Sequence, residues 1–405
     1  MSTSAEPTRL LSREFVTLGA AAMLFFVGMG ASNPILPQFV SDELDGSDTI
    51  VGIVAGSFAI SSLLSRSLFG RLGDRRGARV LIQVGCLLGA VGMIAMVLAS
   101  SVPEAIGARL ILGAGQAAAM TGATTLAIDL APADRRGEAS SYILVAFHLG
   151  LGVGPIIGES VLNRSSFDGV WWVLAVFMVG GAATAMLLPH RPGHPDQEKS
   201  PLLHRAGVAP GIVSSLAMTS FISFSFFVPL YAREINVDRV GPVFMVASIS
   251  IALVRVVFGR VPDLLGPIRT GTMAISLIIA GTSTIAIWPT EAGLYVGTAV
   301  MSVGVALQTP AMIPIAVHGV EPHRRSSAMA TFTMFTDVSV ALTGPLMGLV
   351  ASGAGYRATF VTAAMLAVVA LLMLQFSLAP KWRGIAPDRS AVEMAEQDRY
   401  LGQGP

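Results

Sequence analysis

The chain is organised around residues 70–79, which read Gly70-Arg71-Leu72-Gly73-Asp74-Arg75-Arg76-Gly77-Ala78-Arg79 and lie between two long apolar runs. The stretch recurs in altered form in the second half of the chain, as Gly259-Arg260-Val261-Pro262-Asp263-Leu264-Leu265-Gly266-Pro267-Ile268-Arg269. In both copies an arginine, Arg66 or Arg255, stands four residues before the first glycine. Because glycines permit tight turns, each copy predicts a charged hairpin between two helices, and the repeat predicts two related halves.

A second pair of landmarks supports the repeat. Pro132 stands 22 residues before Gly154-Pro155, and Pro322 stands 22 residues before Gly344-Pro345. The displacement from Pro132 to Pro322 agrees, within one residue, with the displacement from Gly70 to Gly259. Two independent spacings that agree across nearly half of the chain predict a duplicated helical unit.

The composition is that of a membrane protein. Of the 405 residues, 53% are hydrophobic and 13% are charged, whereas a soluble domain carries about 25% charged residues. Apolar runs of about 20 residues, enough to cross the hydrocarbon layer, follow one another with short interruptions, so we predict one polytopic all-α bundle. The net charge of +1 and the scattered basic residues indicate no nucleic-acid surface, and Cys86 allows no intramolecular disulfide.

The apolar runs predict twelve membrane spans in two six-helix bundles. The first run is too long for a signal peptide and is kept as span 1. The predicted spans are 15–40, 48–70, 79–100, 103–128, 138–162, 168–189, 209–232, 240–258, 268–288, 291–318, 325–349 and 355–378. The predicted units are an N-terminal bundle at 1–189, a cytoplasmic linker at 190–208, a C-terminal bundle at 209–380 and a cytoplasmic tail at 381–405.

Lysine and arginine are distributed unevenly between the two faces. With the N-terminus inside, the loops on that side and both termini hold 19 of the 26 such residues. The positive-inside rule therefore predicts a multi-pass protein of the plasma (cytoplasmic) membrane, the inner membrane of the cell, with both termini in the cytoplasm. The other face holds Arg164, Arg233, Arg239 and Arg357, and the spans hold Arg66, Arg109 and Arg255.

With these features the sequence resembles the major facilitator superfamily. Residues 70–79 are similar to the signature between helices 2 and 3 of that family, with Gly70, Leu72, Asp74, Arg75 and Gly77 matching and Ala78 in place of a usual basic residue. Span 4 carries a stretch similar to the second signature of the family, Arg109-Leu110-Ile111-Leu112-Gly113-Ala114-Gly115.

Two further motifs resemble the 12-helix drug:proton antiporter group of this family. Residues 150–158 resemble the motif associated with drug-exporting antiporters, with Glu159 where a second glycine is common, and Asn33-Pro34-Ile35-Leu36-Pro37 in span 1 fits the same group. The resemblance implies transport by alternating access, with a small-molecule substrate, protons and the lipid bilayer as partners. It implies no cofactor, no nucleic acid and a monomer.

The resemblance makes the hairpin a conformational latch and not a substrate site. It implies that Asp74 holds the cytoplasmic ends of spans 2 and 11 together in the outward-open state, within one charge network with Arg75 and Asp129. Ordinary turn chemistry with topology-setting charge is the alternative. The predicted latch residues are Gly70, Asp74, Arg75, Gly77, Asp129, Arg135 and Arg136.

The antiporter-type motif has its own physical interpretation. Gly150, Gly154 and Gly158 fall at four-residue spacing on one helix face, which in lipid lets another backbone come close. Pro155 leaves a carbonyl without its helical partner and can bend the helix. Simple helix packing is the alternative, and the two interpretations are compatible.

Three ionisable groups lie in the middle of spans, where a charge costs about 2.5–3.5 kcal/mol. The displacement between the two halves maps Asp337 onto Phe147 or His148, so each half brings one titratable group to a similar depth. Because desolvation tunes such groups, we predict Asp337 as the first candidate for proton carrier and His148 as the second. Arg109 is predicted to hold a substrate anion or to tune a neighbouring acid. Structural pairing of Asp337 and Arg109 and simple packing of His148 are the alternatives.

Family resemblance predicts a substrate cavity lined by spans 1, 4, 7 and 10. Flexible methionines and planar phenylalanines with a few hydrogen-bonding groups suit lipophilic compounds of varied shape. The sequence offers no carboxylate or arginine cluster for a multiply charged substrate. The candidate lining residues are Asn33, Met23, Gln116, Met120, Thr121, Ser220, Phe221, Phe224, Phe227, Gln308 and Met312.

The leading hypothesis is a proton-coupled antiporter for efflux of lipophilic or cationic, drug-like small molecules, a multidrug-resistance activity. The alternative is a transporter of the same fold for a specific metabolite, sugar or peptide-like. An enzyme is not predicted, because the sequence has no metal-ligand cluster, phosphate-binding glycine loop or nucleophile–base pair. A non-transporting receptor is disfavoured because the latch signatures are retained.

Overall fold

The computed structural model describes residues 12–132, 135–190, 204–258, 261–321 and 325–383, and within these ranges every regular element is a helix. The all-α fold class predicted from composition is therefore confirmed. By length and composition, eleven helices in the described ranges could cross a membrane. The twelve long helices are α1 (Arg13–Asp42), α2 (Asp48–Arg76), α3 (Ala78–Val97), α4 (Val102–Leu130), α5 (Arg136–Leu162), α6 (Phe167–Ala185), α7 (Arg205–Glu234), α8 (Gly241–Val257), α9 (Pro267–Ile287), α10 (Glu291–Val317), α11 (Arg325–Ala354) and α12 (Tyr356–Met373).

Helix α8 is the shortest of the twelve and is apolar over its 17 residues. At 1.5 Å per residue it is about 26 Å long, close to the thickness of the hydrocarbon layer. The twelve helices correspond in order to the twelve predicted spans, so each span keeps its number as a helix label.

Residues 70–79 are more helical than the predicted hairpin. Helix α2 continues through Arg76 and α3 begins at Ala78, so the turn consists of Gly77 alone, at φ 84°. The Gly77 N–H donates to the carbonyl of Gly73 at 2.8 Å and closes the last turn of α2. In the second copy of the repeat, Gly266 precedes α9 at φ 78°. Only glycine adopts this backbone region without strain, so both turns depend on their glycine.

Two other predicted boundaries differ from the structure. Helix α7 begins at Arg205, so the last residues of the predicted linker, 190–208, are helical. The chain also stays helical past the predicted end of span 12, through the π-helical turn Leu374–Leu378 and the short helix Ala379–Arg383. The rest of the predicted linker and tail, 191–203 and 384–405, lies outside the described residues.

The helix ends form two groups. The basic end holds the connections that follow α2, α4, α6, α8 and α10, which carry most of the arginines. The far end holds the connections that follow the odd-numbered helices. Two large hydrophobic clusters form most of the core of the described residues, one built mainly from α1–α6 around Phe25 and Trp171, the other mainly from α7–α12 around Phe224 and Phe360. A third, small cluster contains Phe69 and Leu81.

Among the described residues, three helix pairs make most of the contacts between the halves: α1 with α7, α2 with α11, and α5 with α8. Where α2 crosses α11, Gly52 and Gly344 face each other. A Cβ on Gly52 would lie 2.0 Å from the Gly344 carbonyl oxygen, and a Cβ on Gly344 would lie 2.2 Å from the Gly52 oxygen. In lipid, such contact between small residues is a main source of helix association, so this crossing depends on the absence of two side chains.

Candidate functional site between the halves

Asp337 on α11 forms an ion pair with Arg66 on α2, in the other half. Its Oδ2 lies 2.8 Å from Nη2 of Arg66, and the same nitrogen donates to Oδ1 at 3.1 Å. The carboxylate side chain is 17% exposed and the arginine side chain is 45% exposed. The ion pair thus links α2 of the first half to α11 of the second half. Pairing with an arginine is one of the alternatives left open by the sequence, and a paired carboxylate can still take up a proton.

The side chain of His148 on α5 is buried. Its Nδ1 lies 2.7 Å from the carbonyl oxygen of Leu144, and its ring packs edge-on against Phe147 with 5.0 Å between ring centres. These contacts agree with the packing role that the sequence left open as an alternative. The proton-carrier role of His148 stays a prediction.

Arg109 on α4 is enclosed inside the first half. Its guanidinium carbon lies 4.7 Å from the centre of the Phe58 ring, a cation–π arrangement, and its Nη2 lies 3.4 Å from the carbonyl oxygen of Ala55. Both contacts are to α2, near the far end. The structure therefore does not bring Arg109 to the Arg66–Asp337 pair, and its contacts are those of the structural alternative.

The eleven predicted cavity residues divide by exposure. The partly exposed ones lie on α1, α4 and α7, and the buried ones lie on α7 and α10. The partly exposed residues are Met23, Asn33, Gln116, Met120, Thr121 and Phe221. The buried residues are Ser220, Phe224, Phe227, Gln308 and Met312.

The buried members are held by contacts among helices. Ser220 donates to the carbonyl oxygen of Ala363 at 3.3 Å, and Gln308 donates through Nε2 to the carbonyl oxygen of Ser214 at 3.1 Å. Phe224 packs in the core of α7–α12. Ser220, Gln308 and Phe224 therefore stabilise contacts within the second half. Phe227 packs in the cluster built mainly from α1–α6.

Polar contacts that the sequence did not indicate join the halves at the far end. Arg233 on α7 donates to both carboxylate oxygens of Asp42 on α1, at 3.0 and 2.9 Å, and to Oε1 of Gln38 at 2.6 Å. A bidentate pair of this kind fixes orientation as well as distance. Beside it, the Tyr356 hydroxyl donates to Asp48 at 2.6 Å. The far end is therefore closed in this structure.

Glu159 adds a helix cap across the same interface. Its Oε1 accepts a hydrogen bond of 2.7 Å from the N–H of Val240, the residue before α8. A carboxylate at a helix N-terminus is stabilised by the helix dipole. Glu159 also borders a polar pocket of about 350 Å³ at the far end, lined by Gln38, Glu159, Leu162, Asn163, Pro229, Arg233, Asn236, Val237, Asp238 and Val240.

The family follows from comparison of the whole chain with known families. The family described as Major Facilitator Superfamily matches residues 18–293 and 211–394, which together include nearly all of the twelve helices. The chain belongs to the major facilitator superfamily. It is a transporter of that superfamily, and its relatives are transporters and not enzymes, as the sequence predicts.

Relatives and solved structures agree with this membership. An uncharacterized MFS-type transporter of Salmonella typhimurium, STM4428, is 27% identical over 377 residues, covering 89% of this chain and 95% of the relative. The solved nucleoside transporter NupG aligns with a TM-score of 0.72 at 15% identity, over 90% of this chain and 98% of that one. The solved peptide transporter POT in complex with sulfate gives 0.76 at 15% identity, over 91% and 94%. At these identities the two structures show the fold alone.

The superfamily signature between α2 and α3 lies at the basic end. Gly70 borders open space, Arg75 is exposed and Gly77 makes the turn. Asp129 and Arg135 each take part in a polar or electrostatic contact. The latch role stays a prediction, because its central contact falls on side chains outside the described part of the structure, those of Asp74 and Arg136.

The antiporter-type motif of α5 presents its glycine face to α1 of the same half. Cβ atoms on Gly150, Gly154 and Gly158 would lie 2.5, 2.4 and 2.9 Å from atoms of α1. Pro155 is buried within α5. The close backbone contact of this motif is thus inside the first half, and the role of the motif in antiport stays a prediction.

Replacing Arg233 by glutamine is expected to loosen the far end without unfolding the transporter. Both members of the Arg233–Asp42 pair are well exposed, at 45% and 38%, so the stability loss should not exceed about 1 kcal/mol. The interface should open more often, and hydrogen exchange at residues 235–243 should become faster. Arg164→Gln, which removes an exposed arginine at the same end, is the matched control. Equal exchange in the two variants would show that Arg233 does not hold the far end closed.

Proposed function

We propose that this transporter exports lipophilic small molecules from the cytoplasm by proton antiport, with alternating access between the two halves. The observation that carries the proposal is the Arg66–Asp337 ion pair. An ionised carboxylate among membrane spans is costly unless it is paired, and here its partner belongs to the opposite half. Protonation of Asp337 therefore changes a contact between the halves, which is the link that a proton-driven carrier requires.

The partly exposed lining residues support a lipophilic substrate. Met23, Met120 and Phe221 offer adaptable apolar contacts, and the others offer neutral hydrogen-bonding groups. None of the six carries a charge, so this lining favours the lipophilic compounds of the leading hypothesis over the cationic ones. The polar members are Asn33, Gln116 and Thr121.

The far-end contacts support a direction for the cycle. The positive-inside rule assigns the basic end and both termini to the cytoplasm, so a structure closed at the far end accepts substrate from inside. In this state Asp337 is ionised and paired. In the opposite state, open to the outside, Asp337 takes up a proton, and the return to the present state delivers that proton to the cytoplasm.

A transporter for a specific polar metabolite, such as a sugar or a peptide-like compound, is the second candidate. The observation that favours it is the polar pocket between the halves at the far end. Its Gln38, Asn163 and Asn236 offer the uncharged hydrogen-bonding groups that such a substrate needs.

Reconstitution into liposomes tests the proposal. The purified transporter would be given an imposed pH gradient and a panel of neutral lipophilic compounds, lipophilic acids, lipophilic cations, sugars and dipeptides. We expect lipophilic compounds to move in the direction opposite to the protons. This transport should stop when an ionophore collapses the pH gradient. Movement of sugars or dipeptides alone would favour the second candidate, and movement that ignores the gradient would rule out proton antiport.

A further inference from the structure

The two halves place an arginine and a titratable residue at matched positions. Arg255 is displaced from Arg66 along the chain by the same number of positions as Asp337 is from His148. Arg66 on α2 pairs with Asp337 on α11, and Arg255 lies on α8, which packs against the helix of His148, α5. The interface between the halves thus contains two related positions, one with an arginine and a carboxylate and one with an arginine and an imidazole.

Packing of α5 against α8 places His148 and Arg255 on facing stripes. A Cβ on Gly152 would lie 2.5 Å from Cβ of Ser248, which fixes the register of the two antiparallel helices. From this contact towards the basic end, His148 lies one helical turn away on α5 and Arg255 lies two turns away on α8. Both side chains therefore belong to the interface between the halves, on its basic side.

Arg255 and Arg66 differ in their hydrogen-bond partners among the described residues. The Nε of Arg255 is buried without a hydrogen-bond partner there, whereas Arg66 contacts both oxygens of Asp337. A neutral or cationic imidazole offers no anionic oxygen, so His148 cannot replace the carboxylate. A buried guanidinium N–H without an acceptor is costly, so an anionic group that accepts from this N–H would stabilise Arg255.

Arg109 also has a buried Nε without a partner among the described residues, but its surroundings differ. It lies against Phe58 and Ala55 inside the first half, and 4% of its surface is exposed. Arg255 is partly exposed and lies between the halves. Arg255 is therefore accessible to a compound bound between the halves, whereas Arg109 is enclosed.

We propose that Arg255, with His148 beside it, binds the acidic group of the transported compound. A carboxylate fits the planar guanidinium fork with two parallel N–H···O bonds, and Asp337 supplies such a carboxylate to Arg66. The inference rests on the proposed function and narrows its substrate class to lipophilic acids. Inorganic anions share this chemistry, so the test separates the two sources.

Binding to the purified transporter tests this site with three matched probes: a naphthalene carboxylate, its amide and the corresponding naphthyl ammonium. We expect the carboxylate alone to raise the melting temperature, and Arg255→Gln to weaken its binding by about tenfold or more, since hydrogen bonds to charged groups contribute about 1.5–3 kcal/mol. Arg164→Gln, with the same change of charge at an exposed site, should bind as the native protein does. Two further probes lack a lipophilic group: acetate, a small carboxylate, and sulfate, an inorganic anion.

A second variant keeps the test decisive if Arg255→Gln folds poorly. His148→Asp gives Arg255 the carboxylate that Arg66 already has, so it should raise the melting temperature without ligand and also lose carboxylate binding. Unchanged carboxylate binding in both variants, or equal binding of the amide, would overturn the site. Sulfate or acetate binding as tightly as the naphthalene carboxylate would overturn the lipophilic acid. Gradient-driven movement of any panel compound by the native protein tests the proposed function separately.

Discussion

Asp337→Asn is expected to abolish transport driven by a pH gradient. Asparagine keeps the shape of the side chain and removes its ability to gain and lose a proton, so no step of the cycle can then be linked to proton movement through this residue. Substrate exchange without a gradient should continue, because asparagine can still accept a hydrogen bond from Arg66. The measurement is initial uptake into proteoliposomes with and without the imposed gradient.

A matched control for this change is Asp45→Asn. Asp45 is exposed at the far end and has a positive φ of 48°, a conformation that asparagine also tolerates. The control should keep native transport. Arg66 is 45% exposed, so losing its partner should cost only about 1 kcal/mol of stability, and both proteins should stay folded. Native gradient-driven transport by Asp337→Asn would remove the basis of proton coupling at this site.

Gly52→Ala is expected to disfavour the conformation seen here. The added Cβ would lie 2.0 Å from the backbone oxygen of Gly344, and a backbone atom cannot turn away as a side chain can. The helices α2 and α11 must separate, at a cost of about 1–3 kcal/mol for an overpacked site. The population closed at the far end should fall by about tenfold, and the transport rate should fall with it.

Two comparisons separate this effect from a general effect of alanine. Gly344→Ala should reduce the transport rate as Gly52→Ala does, because its Cβ would lie 2.2 Å from the Gly52 oxygen. Gly107→Ala on α4 should transport normally, since a Cβ there meets nothing within 4 Å and alanine favours helix. If all three variants transport equally, close contact of α2 with α11 is not needed in the cycle.

Much of the fold could be predicted from local sequence. The apolar runs give twelve helices because the hydrocarbon layer sets their length. Gly77 marks a turn because few other residues accept its backbone conformation. The displacement between the two halves predicts that Asp337 and His148 occupy equivalent positions on their helices. It does so because duplicated halves keep equivalent residues at equivalent depths.

The contacts between the halves could not be predicted in the same way. Arg233 finds Asp42, and Glu159 finds Val240, only when helices distant in sequence are brought side by side. The turn is shorter than the predicted hairpin because Arg71, Asp74 and Arg76 continue α2 and do not break the helix. Phe224 is buried although it was assigned to the cavity, since a span that is apolar all round gives no signal for which face meets its neighbours.

The most direct test of coupling between Asp337 and the far end is a distance measurement at different pH values. Spin labels at Glu43→Cys and Asp238→Cys, exposed far-end positions in opposite halves, would be introduced after the buried Cys86 is replaced by alanine. Protonation removes the ion pair of the far-end-closed state, so lowering the pH should increase the long-distance population in the native background. Asp337→Asn should lose this response, apart from any part due to Asp42 and Glu159. An identical pH response in the two proteins, or none in the native one, would contradict the account.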